Sequence, residues 1–129
     1  MILLDTNILI EFYKDNHEVR STLEIQGASN LAISVITAGE LYFGARDKRE
    51  MRKIEKHLSL IEQIPLDAEI TSLFLDLLRQ YALSHRLNIP DALIAATAIL
   101  NNLPLYTLNI KDFQYIPGLD LYQPQPTKN

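Results

Sequence analysis

Residues 1–10 read MILLDTNILI: apolar side chains, an aspartate, Thr-Asn, then apolar side chains again. Ile2 to Leu4 is uniformly apolar, as expected of a short strand buried on both faces and not of a half-exposed one. Asp5 stands directly behind it. An acid in that place either caps the next helix or does chemistry. Thr6 or Asn7 can cap a helix running to about Lys14, which leaves Asp5 free for chemistry.

The same alternation continues along the chain. A helix is expected from near His17 to Gln26, stopped by Gly27. Leu31 to Ile33 reads as a second short strand, and Ser34 caps a helix carrying VITAGELYFGA. Residues 47–62 read as an amphipathic helix with Met51, Ile54, Leu58 and Ile61 on its apolar face. Pro65 breaks the chain, and Asp67 opens a long helix to about His85, whose apolar face carries Ile70, Leu73, Phe74, Leu77, Leu78 and Tyr81. Pro90 sits in the first turn of a further helix, DALIAATAIL. Leu105 to Thr107 is a third strand, and LDLY at 119–122 a weak edge strand. Short apolar strands alternating with helices predict an α/β fold with a parallel sheet.

At 129 residues and 47% hydrophobic, the chain is expected to form one domain over 1–123 with a buried core, and only the PQPTKN tail at 124–129 is expected to be loose. The absence of cysteine excludes disulfides, thiolate metal sites and a cysteine nucleophile, and fits a reducing compartment. The first ten residues lack a basic n-region and are interrupted by Asp5, so they do not read as a signal peptide. No apolar run is long enough to cross a bilayer. A soluble, cytoplasmic protein is expected.

The formal charge of −4 speaks against a generic nucleic-acid binder. The charge is uneven, however. Arg46, Lys48, Arg49, Arg52, Lys53 and Lys56 lie within residues 46–56 beside three acids, so that window carries +3 and the remainder −7.

In open parallel sheets, ligands bind beyond the carboxyl ends of the strands. Asp5 follows the first strand, Ser34 and its helix the second, Asn109 and Asp112 the third. Glu40 shares a helix face with Thr37 and Gly44, small residues that predict a hollow around its carboxylate. Asp91 has Ala95 and Ala98 on its face in the same way. Each acid has an ordinary alternative: a solvated glutamate for Glu40, a first-turn acid on the helix dipole for Asp91. As a group they fit better as converging carboxylates whose repulsion a hard cation such as Mg²⁺ resolves. No G-x-S-x-G, Gly-rich phosphate loop or H-E-x-x-H offers another chemistry. His17, His57 and His85 read as surface residues.

The ordered set LLDTN, SVITAGELYFGA, IPDALIAATA, LPLYTLNIKDF and IPGLDL resembles the PIN-domain ribonucleases. Among these it is most similar to the small VapC-type toxins of toxin–antitoxin pairs, over nearly the whole chain. The resemblance implies a three-layer α/β/α sandwich with a short, mainly parallel central sheet. It implies an Mg²⁺ pocket in which Mn²⁺ can substitute, endonucleolytic cleavage of RNA, inhibited translation and a homodimer. It further implies neutralisation by a cognate VapB-type antitoxin, in a higher assembly able to bind promoter DNA through the antitoxin. Carried over by residue, Asp5, Glu40 and Asp91 are the principal catalytic and metal-binding acids, and Thr6 hydrogen-bonds a site carboxylate or water. Asp112 and Asn109 complete the set secondarily, Asn109 standing where some relatives have aspartate. Arg46, Arg49, Arg52 and Lys53 become the candidate RNA-binding face; the alternative is a solvated helix laced with pairs such as Glu50 with Lys53. Rival readings are a nuclease for single-stranded DNA or flap substrates using the same acids, and a catalytically weak binding module.

Overall fold

The computed structural model describes residues 1–124. The loose tail expected at 124–129 falls, from residue 125 on, outside the described residues.

Four short strands, β1 (Ile2–Leu4), β2 (Leu31–Ser34), β3 (Glu62–Ile64) and β4 (Leu105–Tyr106), form one sheet in the order β3-β2-β1-β4. Every pairing is parallel: Ile2 opposite Leu31, Leu3 opposite Leu105, and Ala32 opposite Glu62. The helices are α1 (Thr6–Tyr13), α2 (His17–Gln26), α3 (Val35–Phe43), α4 (Lys48–Leu58), α5 (Ala68–His85) and α6 (Ile89–Leu100).

Side chains on a strand alternate between faces, and the two cores sort accordingly. Ile2, Leu4, Leu31, Ile33 and Tyr106 pack on one face with Ile8 and Leu9 of α1, Val19 and Leu23 of α2, Leu41 of α3, and Ile54 and Leu58 of α4. Leu3, Ala32 and Leu105 face the other way, onto Ile70 and Leu77 of α5 and the alanine-rich body of α6. This is the expected three-layer sandwich. Ala92 through Ala98 of α6 are all buried, so the helix is enclosed on every side, as a uniformly apolar helix requires. Ala95 and Ala98, expected to leave a hollow beside Asp91, are filled by this packing instead.

Most caps stand where the sequence places them. Ser34 accepts from the Ile36 N–H at 3.2 Å, Asp67 accepts from the Ile70 N–H at 2.8 Å, and Gly27 ends α2 at φ +79°. Two elements differ. The helix expected over 47–62 spans only Lys48–Leu58, and the chain then turns into β3. Glu62 and Gln63 of that strand are exposed, because β3 is the sheet's edge and a polar edge resists unwanted pairing. The weak strand expected at 119–122 reduces to one bridge, Leu121 with Leu105.

Connections from β1 run one way to β2 and β3, then cross back so that β4 pairs on the other side of β1. The switch point is therefore between β1 and β4. Open parallel sheets bind their ligands at the carboxyl ends of the strands flanking such a point.

Candidate active site

Asp5 leaves β1 with its N–H donated to the Tyr106 carbonyl at 2.9 Å, which ties it to the end of β4. Its backbone is extended, and its Oδ1 accepts from the Thr6 N–H at 2.8 Å. Asp5 is thus itself the cap of α1, and the assignment of that task to Thr6 or Asn7 is overturned. β1 ends at Leu4 as expected, but α1 begins directly behind Asp5, so Thr6 is already helical. Its hydroxyl is released for other work.

The Thr6 Oγ1 lies 2.7 Å from Glu40 Oε1 and 3.0 Å from Thr37 Oγ1. A carboxylate only accepts, so the single Thr6 proton goes to Glu40 and the fully buried Thr37 hydroxyl donates to Thr6. Glu40 is therefore held by a relay from α1 while its residue surface stays exposed. The opening beside it comes from Gly39, where an added Cβ would meet nothing within 4 Å. Thr37 and Gly44, the residues expected to leave the hollow, do not: Thr37 is buried, and a Cβ at Gly44 would stand 3.4 Å from the Glu40 carbonyl. Thr6 and Glu40 line a groove of about 370 Å³ with Ile10, Ile36, Gly39 and Phe43.

On the other side of Asp5, the Thr107 hydroxyl donates to Oδ2 at 2.7 Å and accepts the Asn109 N–H at 3.0 Å. Sequence reasoning took Thr107 only as the end of a strand and Thr37 only as a small flanking residue. A threonine closing an apolar strand two residues before Asn109 was the available signal for the first. Nothing in the sequence marks the second.

Electrostatics join the remaining acids. Burial raises the Asp5 carboxyl above its ordinary value against the Thr107 and Thr6 hydrogen bonds, and Glu40 and Asp112 raise it further. Asp91, in the first turn of α6 with its N–H on Asn88 Oδ1 at 2.9 Å, is pushed up to about 6. Burial is the main cause, and Asp5, Asp112 and Glu40 add to it. Asp112 closes a single 3₁₀ turn, Ile110–Asp112, and is exposed, as is Asn109. The structure thus brings Asp5, Thr6, Glu40, Asp91 and Asp112 into one field. Among the described residues no three His, Asp or Glu side chains form a ready ligand cage. The acids act on one another through space, and two are pinned by threonines.

Arg46, Arg49, Arg52 and Lys53 are exposed on and just before α4, and none is among the charges that shift Asp5 or Asp91. Glu50 pairs with Arg46 at 3.1 Å, in place of the expected Lys53. His57 is not the free surface residue expected. It stacks on Phe12 at 5.1 Å and its Nδ1 lies 2.9 Å from the Tyr13 hydroxyl.

Acids of one sign, gathered near the switch point of a parallel sheet and raising one another's pKa, give this α/β domain an acidic edge. The profile of the PIN domain matches residues 2–119, and the chain belongs to that family. Ribonuclease VapC1 of Methanocaldococcus jannaschii is 35% identical over 124 residues, covering 94% of this chain and 86% of that protein. Ribonuclease VapC10 of Mycobacterium tuberculosis is 36% identical over 115 residues, 88% of this chain and 86% of its own length. Among solved structures, a toxin-antitoxin complex from Klebsiella pneumoniae aligns with a TM-score of 0.79 at 36% identity, covering 92% of this chain and 95% of that one. VapBC2 from Rickettsia felis, bound to a DNA fragment from its promoter, aligns with a TM-score of 0.74 at 34% identity, covering 95% and 98%. Among the described residues no helix is long and apolar enough to cross a membrane.

Proposed function

We propose that this chain is a metal-dependent endoribonuclease toxin of the VapC type, inhibiting translation by RNA cleavage and neutralised by a cognate VapB-type antitoxin. The observation that carries the reading is the pinning of Asp5 by Thr107 and of Glu40 by Thr6 at the strand ends of a PIN-family fold, in a field that also raises the Asp91 carboxyl. Like charges that suppress one another's ionisation fit a cation, and the names of the similar proteins supply the substrate class.

Asp5, Asp91 and Glu40 would hold Mg²⁺, for which Mn²⁺ can substitute, with Asp112 and the Asn109 carbonyl oxygen as secondary ligands. The bound ion supplies Lewis-acid polarisation of the phosphodiester and a lowered pKa for an attacking water. The chain's own residues do the rest. Thr107 fixes the orientation of Asp5, and Thr6 fixes that of Glu40. Glu40, exposed to the groove, orients or deprotonates the water. Because water and not the ribose 2′-hydroxyl attacks, the products carry 5′-phosphate and 3′-hydroxyl ends.

The antitoxin reading rests on the same groove. Ile10 is 41% and Phe43 94% exposed beside Glu40, so an apolar wall borders an acidic pocket. An antitoxin segment would cover the wall, and its arginine or lysine would neutralise the acids. A homodimer, and an assembly on promoter DNA through the antitoxin, are part of the proposal.

Matched RNA and DNA oligonucleotides incubated with Mg²⁺ test the activity, with Asp5→Asn as control and mapping of new 5′ ends in induced cells. Cleavage of RNA alone, ending in 5′-phosphate and lost in the variant, is expected. Equal cleavage of DNA, or 2′,3′-cyclic phosphate ends, would overturn it.

A further inference from the structure

The end of α5 and the turn after Asp112 carry an aromatic group that the hydrolytic chemistry does not use. The His85 ring lies on the Tyr115 ring with centroids 4.0 Å apart and planes 16° from parallel. Tyr81 makes T-shaped contacts with both, its ring centroid 5.6 Å from that of His85 and 5.2 Å from that of Tyr115. The Ser84 hydroxyl lies 2.8 Å from His85 Nδ1 and fixes the ring's rotation. One face of His85 is therefore covered by Tyr115, Tyr81 packs against it at a steep angle, and Ser84 meets one nitrogen. Yet the residue is exposed, so part of the ring remains open to solvent.

The group also stands at the acidic edge. Tyr115 follows Asp112 by three residues, and His85 precedes Asp91 by six, across the short loop that ends in the Asn88 cap. The charges of Asp91 and Asp112 reach the Tyr115 hydroxyl and, after burial, hold its proton on. Tyr81 and Tyr115 pack against the second core, yet the Tyr115 hydroxyl oxygen is buried without a hydrogen-bond partner among the described residues, a cost that packing alone does not explain. Histidine at an exposed helix end, laid flat on Tyr115, adds polar surface to no core.

Resting on the endoribonuclease reading, we infer that the His85–Tyr115 stack is a nucleobase subsite, on which a base flanking the scissile phosphate of single-stranded RNA lies against the His85 face opposite Tyr115. Single-stranded RNA is recognised by bases stacked on aromatic and histidine rings, and every base has a face to offer. The acids cannot attract a polyanion by themselves. A stacking platform beside them gives the substrate a hold that does not depend on charge.

The test uses the full chain carrying Asp5→Asn, which prevents cleavage, in Mg²⁺. Binding of single-stranded oligoadenylate is compared with binding of an abasic oligomer of equal length, before and after adding His85→Ala, His85→Phe or His85→Trp. The expected result is that His85→Ala weakens oligoadenylate binding about tenfold, the worth of one stacked base, and leaves the abasic oligomer unchanged. The two aromatic replacements should restore binding. Equal affinity of the His85→Ala and His85 proteins for oligoadenylate overturns the subsite while leaving the nuclease reading intact. Loss confined to antitoxin binding would mark the platform as a protein contact and overturn it as well. Failure of the unsubstituted chain to cleave any RNA refutes both readings together, and that outcome is read separately in the cleavage assay.

Discussion

The Thr107 hydroxyl donates a 2.7 Å hydrogen bond to Asp5 across 102 residues of chain, joining the ends of the two strands that flank the switch point. The same oxygen accepts the Asn109 N–H, so one threonine sets both an acid and the loop beyond it. Thr107→Val keeps the shape and removes the donor. Activity should fall by about 10–100-fold, the range for a group that orients a metal ligand, and the Mg²⁺ needed for half-maximal rate should rise. Thr107→Ser should retain most activity. Cleavage rates across a Mg²⁺ titration decide it; a valine variant with unchanged Mg²⁺ demand removes the positioning role.

Asp5 both caps α1 and contributes charge, and the two tasks separate by substitution. Asparagine caps as well as aspartate, so Asp5→Asn should keep the bond to the Thr6 N–H and fold normally. Its thermal stability without metal should stay within about 1 kcal/mol of the parent, because relief of a buried charge is offset by the Thr107 hydroxyl losing its acceptor. Cleavage should fall by more than about 100-fold, beyond an outer-shell effect. Asp5→Ala should also lose activity, and about 1 kcal/mol of stability with the cap. Thermal melts at neutral pH beside cleavage assays show both.

Much of this site was legible in the sequence because acids behind short apolar strands fall on one edge of a parallel sheet. Asp5 and Asp112 fall there on that ground; Glu40 and Asp91, carried on helices, join them through the small residues on their helix faces and through the family resemblance. Their supports were not legible. The Thr6–Thr37 and Thr107–Asp5 bonds close over 31 and 102 residues, and no local pattern encodes them. The cap of α1 is ambiguous in the sequence because Asp5, Thr6 and Asn7 are all good caps, and only the place of the first helical residue, Thr6, chooses among them. β3 was missed for a different reason. Glu62 and Gln63 lie on an exposed edge, so burial left no apolar signature there.

The Asp91 carboxyl, raised from 3.8 to about 6, makes the metal-free fold sensitive to pH. The folded form holds the proton more tightly than the unfolded chain. Its contribution is fully present below about pH 4 and is lost as pH rises through about 6. Asp91→Asn should therefore be more stable than the parent at pH 7 without metal, by about 1–2 kcal/mol once the shift is discounted for solvent screening of a half-exposed group and for the lost helix-dipole contribution. Below about pH 4 the two should coincide. Mg²⁺ should reverse the order at pH 7 by stabilising the parent alone. Denaturant melts at several pH values, with Mg²⁺ or EDTA, provide the check, and a parent that is already the more stable in EDTA contradicts it.

The basic face of α4 has two readings, an RNA contact or a solvated helix, and salt separates them. Arg49, Arg52 and Lys53 are exposed, and the ion pair formed in this stretch, Arg46 with Glu50, is a surface pair of small worth. These cations are free to meet phosphates. Each phosphate contact on a single strand contributes about 0.7 to the slope of log affinity against log salt. Replacing Arg49, Arg52 and Lys53 together by alanine should lower that slope by about 2 and weaken binding by the Asp5→Asn protein at low salt. The helix should survive, since alanine is its best former and Ile54 and Leu58 keep their buried places. Titrations of single-stranded RNA at several salt concentrations give the slope directly. Parallel lines for parent and triple variant would assign α4 to solvent and move the search for the phosphate path to the loop at Lys111.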